Sequence, residues 1–358
     1  MSEIAAILNE RIAEDGPLSV ADFMGIALTH HQGGYYMTRD PFGEGGDFVT
    51  APEISQMFGE LVGLWCAVAW QSMGMPEQVN LVELGPGRGT LMADALRAAR
   101  AVPPYRDALR PHLVEISPTL TARQRETLGA LDLPHAPTWS ETIEGIPDGP
   151  VIIIANEFFD ALPIRQYERT EDGWFERLVD ADPAGGFCFT LSRKETERLG
   201  PAPEGAIRES CPEALRVAKV IGSRLAKDGG AALFIDYGHA ESADGETLQA
   251  VRSQEYTEVL ADPGNADLTA HVDFEALADA AELGGGRCFG PIAQGHFLMA
   301  LGIEMRAQAL LDSADETQRQ EIMAAHHRLV HPDEMGLLFK ALAVTAPGMP
   351  APPGFEPL

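Results

Sequence analysis

Apolar side chains recur at helical spacing in the first part of the chain and in short continuous runs later. Residues 3–14 and 19–31 show the helical period, and Ser19 with Asp22 has the spacing of a capping box. A third helix is expected over 52–73, with its apolar positions along one face. The pattern therefore predicts that helices precede the first strand.

From residue 79 onward, short apolar runs alternate with helical stretches, which is typical of a parallel sheet flanked by helices. Residues 151–154 show no polar alternation, so their strand is expected at the centre of the sheet. Runs separated by Gly, Asp and Pro turns predict an antiparallel insertion over 164–192. The predicted strands are 79–84, 111–116, 150–155, 231–236 and 337–344, and the predicted helices are 89–101, 118–130, 211–227, 273–283 and 296–330.

Composition and charge narrow the class of partner. The 358 residues are 45% hydrophobic and 22% charged, as in soluble globular proteins. The 26 Lys and Arg against 54 Asp and Glu give a formal net charge of −28. This charge repels phosphate backbones and anionic membranes, so no nucleic acid is expected, and a cationic partner is easier to accommodate. Much of the charge can equally serve solubility.

Neither a membrane span nor a metal site is expected. No uncharged segment, 61–76 included, is longer than 16 residues, which is short of the roughly 20 that cross a bilayer. The cysteines at 66, 188, 211 and 288 are far apart and fit neither a zinc site nor a disulfide scaffold, which favours a reducing compartment. Because the first residues lack the basic and apolar regions of a secretory leader, we expect a cytoplasmic protein.

A glycine-rich turn follows the predicted strand 79–84 and leads into a helix. The dinucleotide fingerprint G-x-G-x-x-G requires Gly at position 90, where the chain has Thr. G-x-G-x-G with an acid two residues before it suits S-adenosylmethionine, whose ammonium can be met by carboxylate and carbonyl groups. A purely structural turn is the alternative. The cofactor-binding candidates in this turn are Glu83, Gly85, Pro86, Gly87 and Gly89.

The next predicted strand ends in a second acid. Glu115 follows Gly89 by 26 residues, and a carboxylate at this strand end can accept hydrogen bonds from both ribose hydroxyls of a nucleoside. Glu115 and its neighbour Ile116 therefore join the cofactor-binding candidates. The alternative for Glu115 is an ordinary strand-end acid that faces water.

Several longer segments make the chain resemble the MidA family of class I methyltransferases. They are GGYYMTRDPFGEGGDFVTAPEISQMFGELVG, VELGPGRGT, NEFFDALP, GGAALFIDYGH, DPGNADLTAHVDF, GPIAQGHFLMALGIEMR and HPDEMGLLF. Together they extend from about residue 17 to residue 343. A mitochondrial member of the family methylates an arginine of the 49-kDa subunit of respiratory complex I. The chain begins without the presequence of that member, so we expect a bacterial-type protein.

The resemblance implies an α/β fold with the seven-stranded, Rossmann-like sheet of class I methyltransferases, an N-terminal helical cap, and β and helical insertions. The implied cofactor is S-adenosylmethionine, and the implied activity is symmetric ω-dimethylation of an arginine in a complex I subunit, in support of assembly. The implied domains are a helical and lid segment (1–78), a methyltransferase domain (79–346) with insertions at 164–192 and 296–331, and a flexible Pro-rich tail (347–358).

Catalytic candidates follow the central strand, because ligands bind beyond the carboxyl ends of parallel strands. They are Asn156, Glu157 and Asp160. A turn can place Glu157 and Asp160 on one side, facing the guanidinium of an arginine. The alternative is that Glu157 is a helix cap and Asp160 a surface acid.

Further candidates would surround the substrate. Tyr237 and His239 end the next strand and are expected in a pocket wall, although Tyr237 can equally finish a buried strand. The resemblance implies a lid over cofactor and substrate, for which a helix entry at Pro52 is the alternative. The lid candidates are Asp47, Phe48, Thr50 and Glu53.

Three other functions remain open at this point. An assembly chaperone would bind S-adenosylmethionine without essential catalysis and dock a partner through the 53–73 helix or the 164–192 insertion. A small-molecule methyltransferase would need a closed apolar pocket. A nucleotide-dependent oxidoreductase is disfavoured by Thr90, which stands where the third glycine would belong.

Overall fold

A computed structural model describes residues 2–38, 50–196 and 199–356. Its helices are α1 (Glu3–Asp15), α2 (Val20–Thr29), α3 (Tyr35–Thr38), α4 (Ala51–Ile54), α5 (Gln56–Ser72), α6 (Thr90–Ala98), α7 (Pro103–Ala108), α8 (Pro118–Gly129), α9 (Pro212–Asp228), α10 (Phe274–Leu283), α11 (Gln294–Ala300), α12 (Ile303–Leu311) and α13 (Glu316–Val330). Its strands are β1 (Leu18–Ser19), β2 (Val79–Leu84), β3 (Leu109–Val114), β4 (Thr138–Ser140), β5 (Val151–Asn156), β6 (Arg165–Thr170), β7 (Gly173–Ala181), β8 (Phe187–Glu195), β9 (Ile207–Ser210), β10 (Gly230–His239), β11 (Gln249–Arg252), β12 (Glu255–Thr257), β13 (Asp267–Thr269), β14 (Val272–Asp273), β15 (Arg287–Ala293) and β16 (Phe339–Thr345).

The chain divides into two compact units. The core unit consists of Val49–Phe159, Leu215–Ala240 and Phe274–Leu358. The insertion unit consists of Met1–Phe48, Asp160–Ala214 and Glu241–Asp273. This division differs from the expected linear one, because the N-terminal segment pairs with a strand from the middle of the chain: β1 is antiparallel to β7, with Leu18 opposite Val179.

Seven strands of the core unit form one sheet in the order β15-β16-β10-β5-β2-β3-β4. The strands from β10 to β4 are parallel, whereas β16 runs antiparallel to both β10 and β15. All six residues of β5 are buried, as expected for a central strand without polar alternation. The predicted α/β class is therefore confirmed, with a large and mostly parallel sheet.

The helix expected over 52–73 is two helices. Ser55 has an extended backbone (φ −162°, ψ 136°), so α4 ends before it and α5 begins after it. The Ser55 hydroxyl accepts a hydrogen bond from the backbone N–H of Met57 at 3.2 Å, which caps α5. Because of this break, α4 does not continue the axis of α5.

Two glycines let α5 approach α6 closely. A Cβ atom on Gly63 would lie 2.6 Å from Cα of Ala95, and one on Gly59 would lie 2.5 Å from Cβ of Asp94. Both distances are far inside van der Waals contact, so only glycine fits at this crossing. Because α6 begins directly after the glycine-rich turn, α5 helps to fix the position of that turn.

The insertion unit contains two antiparallel sheets and its own core. In the first sheet, β7 pairs with β8 on one side and with β6 and β1 on the other, and β9 follows β6. The second sheet has the order β12-β11-β13. The core of this unit combines side chains of α1 and α2 with strand residues, among them Leu8, Phe23, Leu28, Val179 and Leu268.

The described part of the C-terminal segment packs against the core unit, in contrast to the loose tail expected from its prolines. The Phe355 ring is 8% exposed, and its centroid lies 5.4 Å from that of Phe297. Burying an aromatic ring of this kind stabilises a segment that contains few other apolar side chains. Within the described ranges, no helix is both long enough and apolar enough to cross a membrane.

The α5–α6 crossing predicts that Gly63→Ala destabilises the protein. We expect a loss of about 1–3 kcal/mol in the free energy of unfolding, since the new methyl group overlaps backbone atoms of α6. The matched control is Gly129→Ala at the end of α8, where an added Cβ meets nothing within 4 Å. Urea unfolding of both variants measures the effect, and equal stability would contradict the proposed close contact.

Candidate active site

The glycine-rich turn adopts a backbone that requires glycine. Gly85, Gly87 and Gly89 have φ values of +58°, +51° and +79°, in the left-handed region. A Cβ atom on Gly85 would also lie 2.8 Å from the ring of Phe158. The Gly89 N–H donates to the carbonyl of Pro86 at 2.7 Å, which closes the turn at the start of α6. The turn thus exposes bare backbone after β2, as a bound cofactor needs.

Glu83 supplies a buried carboxylate at the end of β2. Its side chain is 3% exposed, and Oε2 has no hydrogen-bond partner among the described residues. The pKa of Glu83 is raised to about 8, chiefly by burial; the backbone N–H of Met92 opposes the rise, and the nearby Glu115 adds to it. A buried carboxylate oxygen without a partner is costly unless a ligand satisfies it. The ammonium group of S-adenosylmethionine fits this position.

Glu115 follows β3 and is held by two donors. It is 9% exposed; Oε1 accepts from the backbone N–H of Ser117 at 2.7 Å, and Oε2 accepts from Nε2 of Gln124 at 3.0 Å. Burial raises the pKa of Glu115, and these hydrogen bonds oppose the rise. Each carboxylate oxygen has a second lone pair, so the residue fits a ribose hydroxyl. Ile116 beside it is 44% exposed.

Gln124 on α8 was not singled out by the sequence, yet it links two of the cofactor-binding candidates, Gly87 and Glu115. The side chain is fully buried, and its Nε2 donates to the carbonyl of Gly87 at 2.8 Å as well as to Glu115. Its Oε1 accepts from Nε1 of Trp139 at 3.0 Å. The sequence feature that could have revealed Gln124 is its spacing: it lies four residues from both Leu120 and Leu128, on the apolar and buried face of α8.

One of the four lid candidates, Glu53, contacts the glycine-rich turn and the start of α6. Glu53 of α4 accepts a hydrogen bond from the hydroxyl of Thr90 at 2.5 Å, and its other oxygen lies 3.8 Å from Nη1 of Arg88. The Thr50 carbonyl accepts from the backbone N–H of Glu53 at 2.9 Å. Asp47 and Phe48 fall outside the described residues. A lid function for these positions stays a prediction.

Glu157 follows the central strand in a strained conformation. Its φ is +50°, which is uncommon for a residue with a side chain. Oε1 accepts from the backbone N–H of Ala51 at 3.0 Å and from Nδ2 of Asn156 at 3.1 Å. Asn156 is 8% exposed, and its Oδ1 has no partner in the described part of the chain. An oriented carboxylate and a buried amide oxygen therefore meet at this strand end.

Asp236 holds the turn that contains Glu157. It is fully buried near the end of β10; Oδ2 accepts from the backbone N–H groups of Phe158 at 3.1 Å and Phe159 at 3.0 Å, and Oδ1 accepts from that of Tyr237 at 2.9 Å. The sequence placed Asp236 at a strand end without this role. A carboxylate that accepts several backbone hydrogen bonds fixes the local backbone.

The remaining candidates are at least partly buried. Tyr237 is 9% exposed, with its ring centroid 5.5 Å from that of Phe339, and His239 is the half-buried last residue of β10. Asp160 is 7% exposed and belongs to the insertion unit, where its backbone carbonyl accepts from the N–H of Ala270 at 3.0 Å. Substrate contacts by these three residues stay predictions.

A glycine-rich turn after β2, buried acids after β2 and β3, and a mostly parallel sheet define an S-adenosylmethionine-dependent methyltransferase of class I. The chain belongs to the S-adenosyl-L-methionine-dependent methyltransferase family whose model matches residues 61–292. A Burkholderia thailandensis protein whose crystal structure holds S-adenosyl-homocysteine is 30% identical, with a TM-score of 0.86 over 98% of this chain and 93% of that one. The predicted cofactor and methyltransferase class are confirmed.

Curated relatives extend over nearly the whole chain. The "Protein arginine methyltransferase NDUFAF7, mitochondrial" of Danio rerio is 41% identical over 364 residues, which cover 94% of this chain and 85% of the relative. The Homo sapiens protein of the same name is 36% identical over 360 residues, which cover 93% and 81%. Both are consistent with the resemblance that the sequence segments carry.

The same relatives contradict the cytoplasmic location expected from the sequence, because they are mitochondrial proteins by name. That expectation was wrong for a physical reason. The composition of the first residues is not a physical basis for choosing among compartments. Unpaired cysteines and an acidic first helix fit more than one compartment.

The raised pKa of Glu83 predicts that cofactor affinity depends on pH. Between pH 6 and 7.5 the empty site holds a protonated Glu83, and a bound ammonium favours the ionised form, so binding releases a proton. We expect the affinity for S-adenosylmethionine to rise about tenfold per pH unit over this range. Isothermal titration in buffers of different ionisation enthalpy measures both quantities.

Glu83→Gln provides the control for this measurement. The variant should bind the cofactor more weakly and with little dependence on pH, because the titrating carboxyl group is gone. The same pH slope in the variant and in the parent protein would assign the proton to another group and contradict the role of Glu83.

Proposed function

We propose that the chain transfers methyl groups from S-adenosylmethionine to an arginine of a protein, with symmetric ω-dimethylarginine as the product. The proposed acceptor is a 49-kDa-type subunit of respiratory complex I (NADH:quinone oxidoreductase), whose assembly the modification would support. The relatives named as protein arginine methyltransferases support the acceptor residue. The product symmetry and the subunit rest on the family resemblance of the sequence.

The observation that carries the proposal is the carboxylate of Glu157, which two donors orient at the end of the central strand. A guanidinium stays protonated near neutral pH, so an arginine methyltransferase must hold it with acceptors and take its proton as the nitrogen is methylated. Glu157 supplies the carboxylate for both tasks. The buried Oδ1 of Asn156 supplies a further acceptor for a guanidinium N–H.

The cofactor, when bound, supplies an activated methyl group on its sulfonium. The remaining contribution of the protein is positioning, since in-line transfer depends on the alignment of donor and acceptor. Phe158 contacts Gly85 of the cofactor turn, while its backbone N–H and that of Phe159 are fixed by Asp236. One turn thereby places Glu157 relative to the cofactor site.

The activity is tested with the purified chain, S-adenosylmethionine labelled in its methyl group, and the purified 49-kDa-type subunit of complex I. We expect label in one arginine of the subunit, identified by mass spectrometry as the symmetric dimethyl form. Asymmetric dimethylarginine would contradict the proposed product. A cofactor-bound enzyme that leaves the subunit unlabelled would contradict the proposed acceptor.

Glu157→Gln is expected to lower kcat by about 10²–10⁴-fold, because the amide cannot accept the guanidinium proton. The affinity for S-adenosylmethionine should stay within about twofold, since none of the described cofactor contacts involves the lost charge. Glu126→Gln on the exposed face of α8 is the matched control. Retained turnover in Glu157→Gln would remove this residue from the mechanism.

The same variant separates catalysis from a chaperone role. If the Glu157→Gln protein restores complex I assembly in cells that lack the enzyme, without arginine methylation, binding of the partner is the essential function. Loss of assembly together with methylation supports an essential catalytic role. A small-molecule acceptor would instead give methylated product in the absence of any protein substrate.

A further inference from the structure

The insertion unit has a strand with an open edge. In the described part of this unit, β8 pairs with β7 and with no other strand. Half of its backbone N–H and C=O groups therefore point away from the sheet. The last three residues of β8, Arg193–Glu195, carry charges of the kind that protect natural edge strands, whereas residues 187–192 read Phe-Cys-Phe-Thr-Leu-Ser and contain neither charge nor proline. All six are only half-buried. This edge can accept another strand.

A cavity of about 650 Å³ lies beside the first residues of β8. Its volume is in the range of sites that bind ligands or large side chains. All of its lining belongs to the insertion unit, so the cavity is a feature of this unit alone. The lining residues that matter here are Arg177, Phe187, Phe189, Glu246 and Glu258.

The walls of the cavity already hold one guanidinium. The Arg177 guanidinium carbon lies 3.9 Å from the centroid of the Phe189 ring, and the group forms an ion pair with Glu246. An aromatic face with an adjacent carboxylate is a favourable environment for a cation. Glu258 is exposed and makes no side-chain hydrogen bond or ion pair with the described residues. The cavity thus offers a second carboxylate to an incoming cation.

The charge of the insertion unit favours the same kind of partner. Its segments contain 28 Asp and Glu against 10 Lys and Arg, a formal charge of −18. The segment Glu241–Asp273, which supplies Glu246 and Glu258, contains eight acids and one base. Such a field attracts basic peptides and raises their local concentration.

We propose that the open edge of β8 and the adjoining cavity form a docking surface for an extended, Lys- and Arg-rich segment of the protein substrate. The backbone of that segment pairs with β8 as an added strand, and one of its basic side chains enters the cavity beside Glu258. The inference rests on the proposed function in one respect, namely that the docked protein is the methyl acceptor. Docking itself needs neither the cofactor nor catalysis.

The direct test is binding of a fluorescent nonapeptide of alternating Arg and Thr to the full chain, measured by anisotropy without cofactor. Glu258→Lys is expected to weaken binding at least tenfold. Glu255→Lys, an exposed residue of β12 that does not line the cavity, makes the same change in net charge and should alter binding less than threefold. An equal loss of peptide affinity in both variants would show that only the net charge attracts the peptide, and it would overturn the proposal.

The strand pairing is tested on the peptide, so that the fold of the protein stays untouched. N-methylation of every second backbone amide, in the two possible phases, should abolish binding in one phase and spare it in the other. Unchanged binding in both phases would overturn the added strand. The alternative occupant of this edge is a second copy of the chain, which light scattering detects as a dimer. A dimer that does not bind the peptide would overturn the proposal.

The methylation assay connects docking to activity and keeps the two hypotheses apart. With the complex I subunit as substrate, Glu258→Lys should raise KM about tenfold and leave kcat unchanged, because the variant lies outside the methyl-transfer site. If the parent protein does not methylate the subunit, the proposed acceptor fails while the peptide experiment still decides on docking. Peptide binding that Glu258→Lys leaves intact overturns the docking surface whatever the activity.

Discussion

The candidate active site depends on three hydrogen bonds that the carboxylate of Asp236 accepts from backbone N–H groups. Without a partner, a carboxylate as deeply buried as this one would be strongly destabilising, so the turn and the acid stabilise each other. Glu157 takes a positive φ whose cost is on the order of 1–3 kcal/mol, which only its surroundings can maintain. The strain is local to the residue whose carboxylate is proposed to hold the guanidinium. Asp236 therefore acts as a positioning residue.

A second network of hydrogen bonds fixes the position of the glycine-rich turn. Gln124 links the carbonyl of Gly87 to the carboxylate of Glu115, so the turn after β2 and the acid after β3 keep a fixed separation. On the other side of the turn, Glu53 accepts from Thr90. These contacts come from α8 and α4, elements that are remote in sequence from the turn. The glycines allow the turn to adopt positive φ values, and the buried hydrogen bonds hold it in that one conformation.

The sequence predicted what local periodicity determines and missed what tertiary contacts determine. Five of the seven strands of the core sheet and the glycine-rich turn were predicted, because burial on both faces and positive φ each leave a local signature, whereas the edge strands β4 and β15 were missed. The break at Ser55, the bridging by Gln124 and the clamp by Asp236 have no such signature, since each depends on a partner distant in sequence. The pairing of β1 with β7 and the packing of Phe355 on Phe297 were missed for the same reason. Contacts of the substrate candidates stay predictions.

The buried acids also link folding to cofactor binding. Because the pKa of Glu83 is raised in the folded protein, its protonation stabilises the empty fold fully at low pH, and this contribution is lost as the pH rises from about 4.5 to about 8. A cation bound at Glu83 restores a favourable interaction in the same pH range, since it pairs with the ionised form. A fold that buries carboxylates without a counter-charge is therefore least stable when its site is empty. The affinity for a cationic cofactor and the lower stability of the empty protein have the same electrostatic origin.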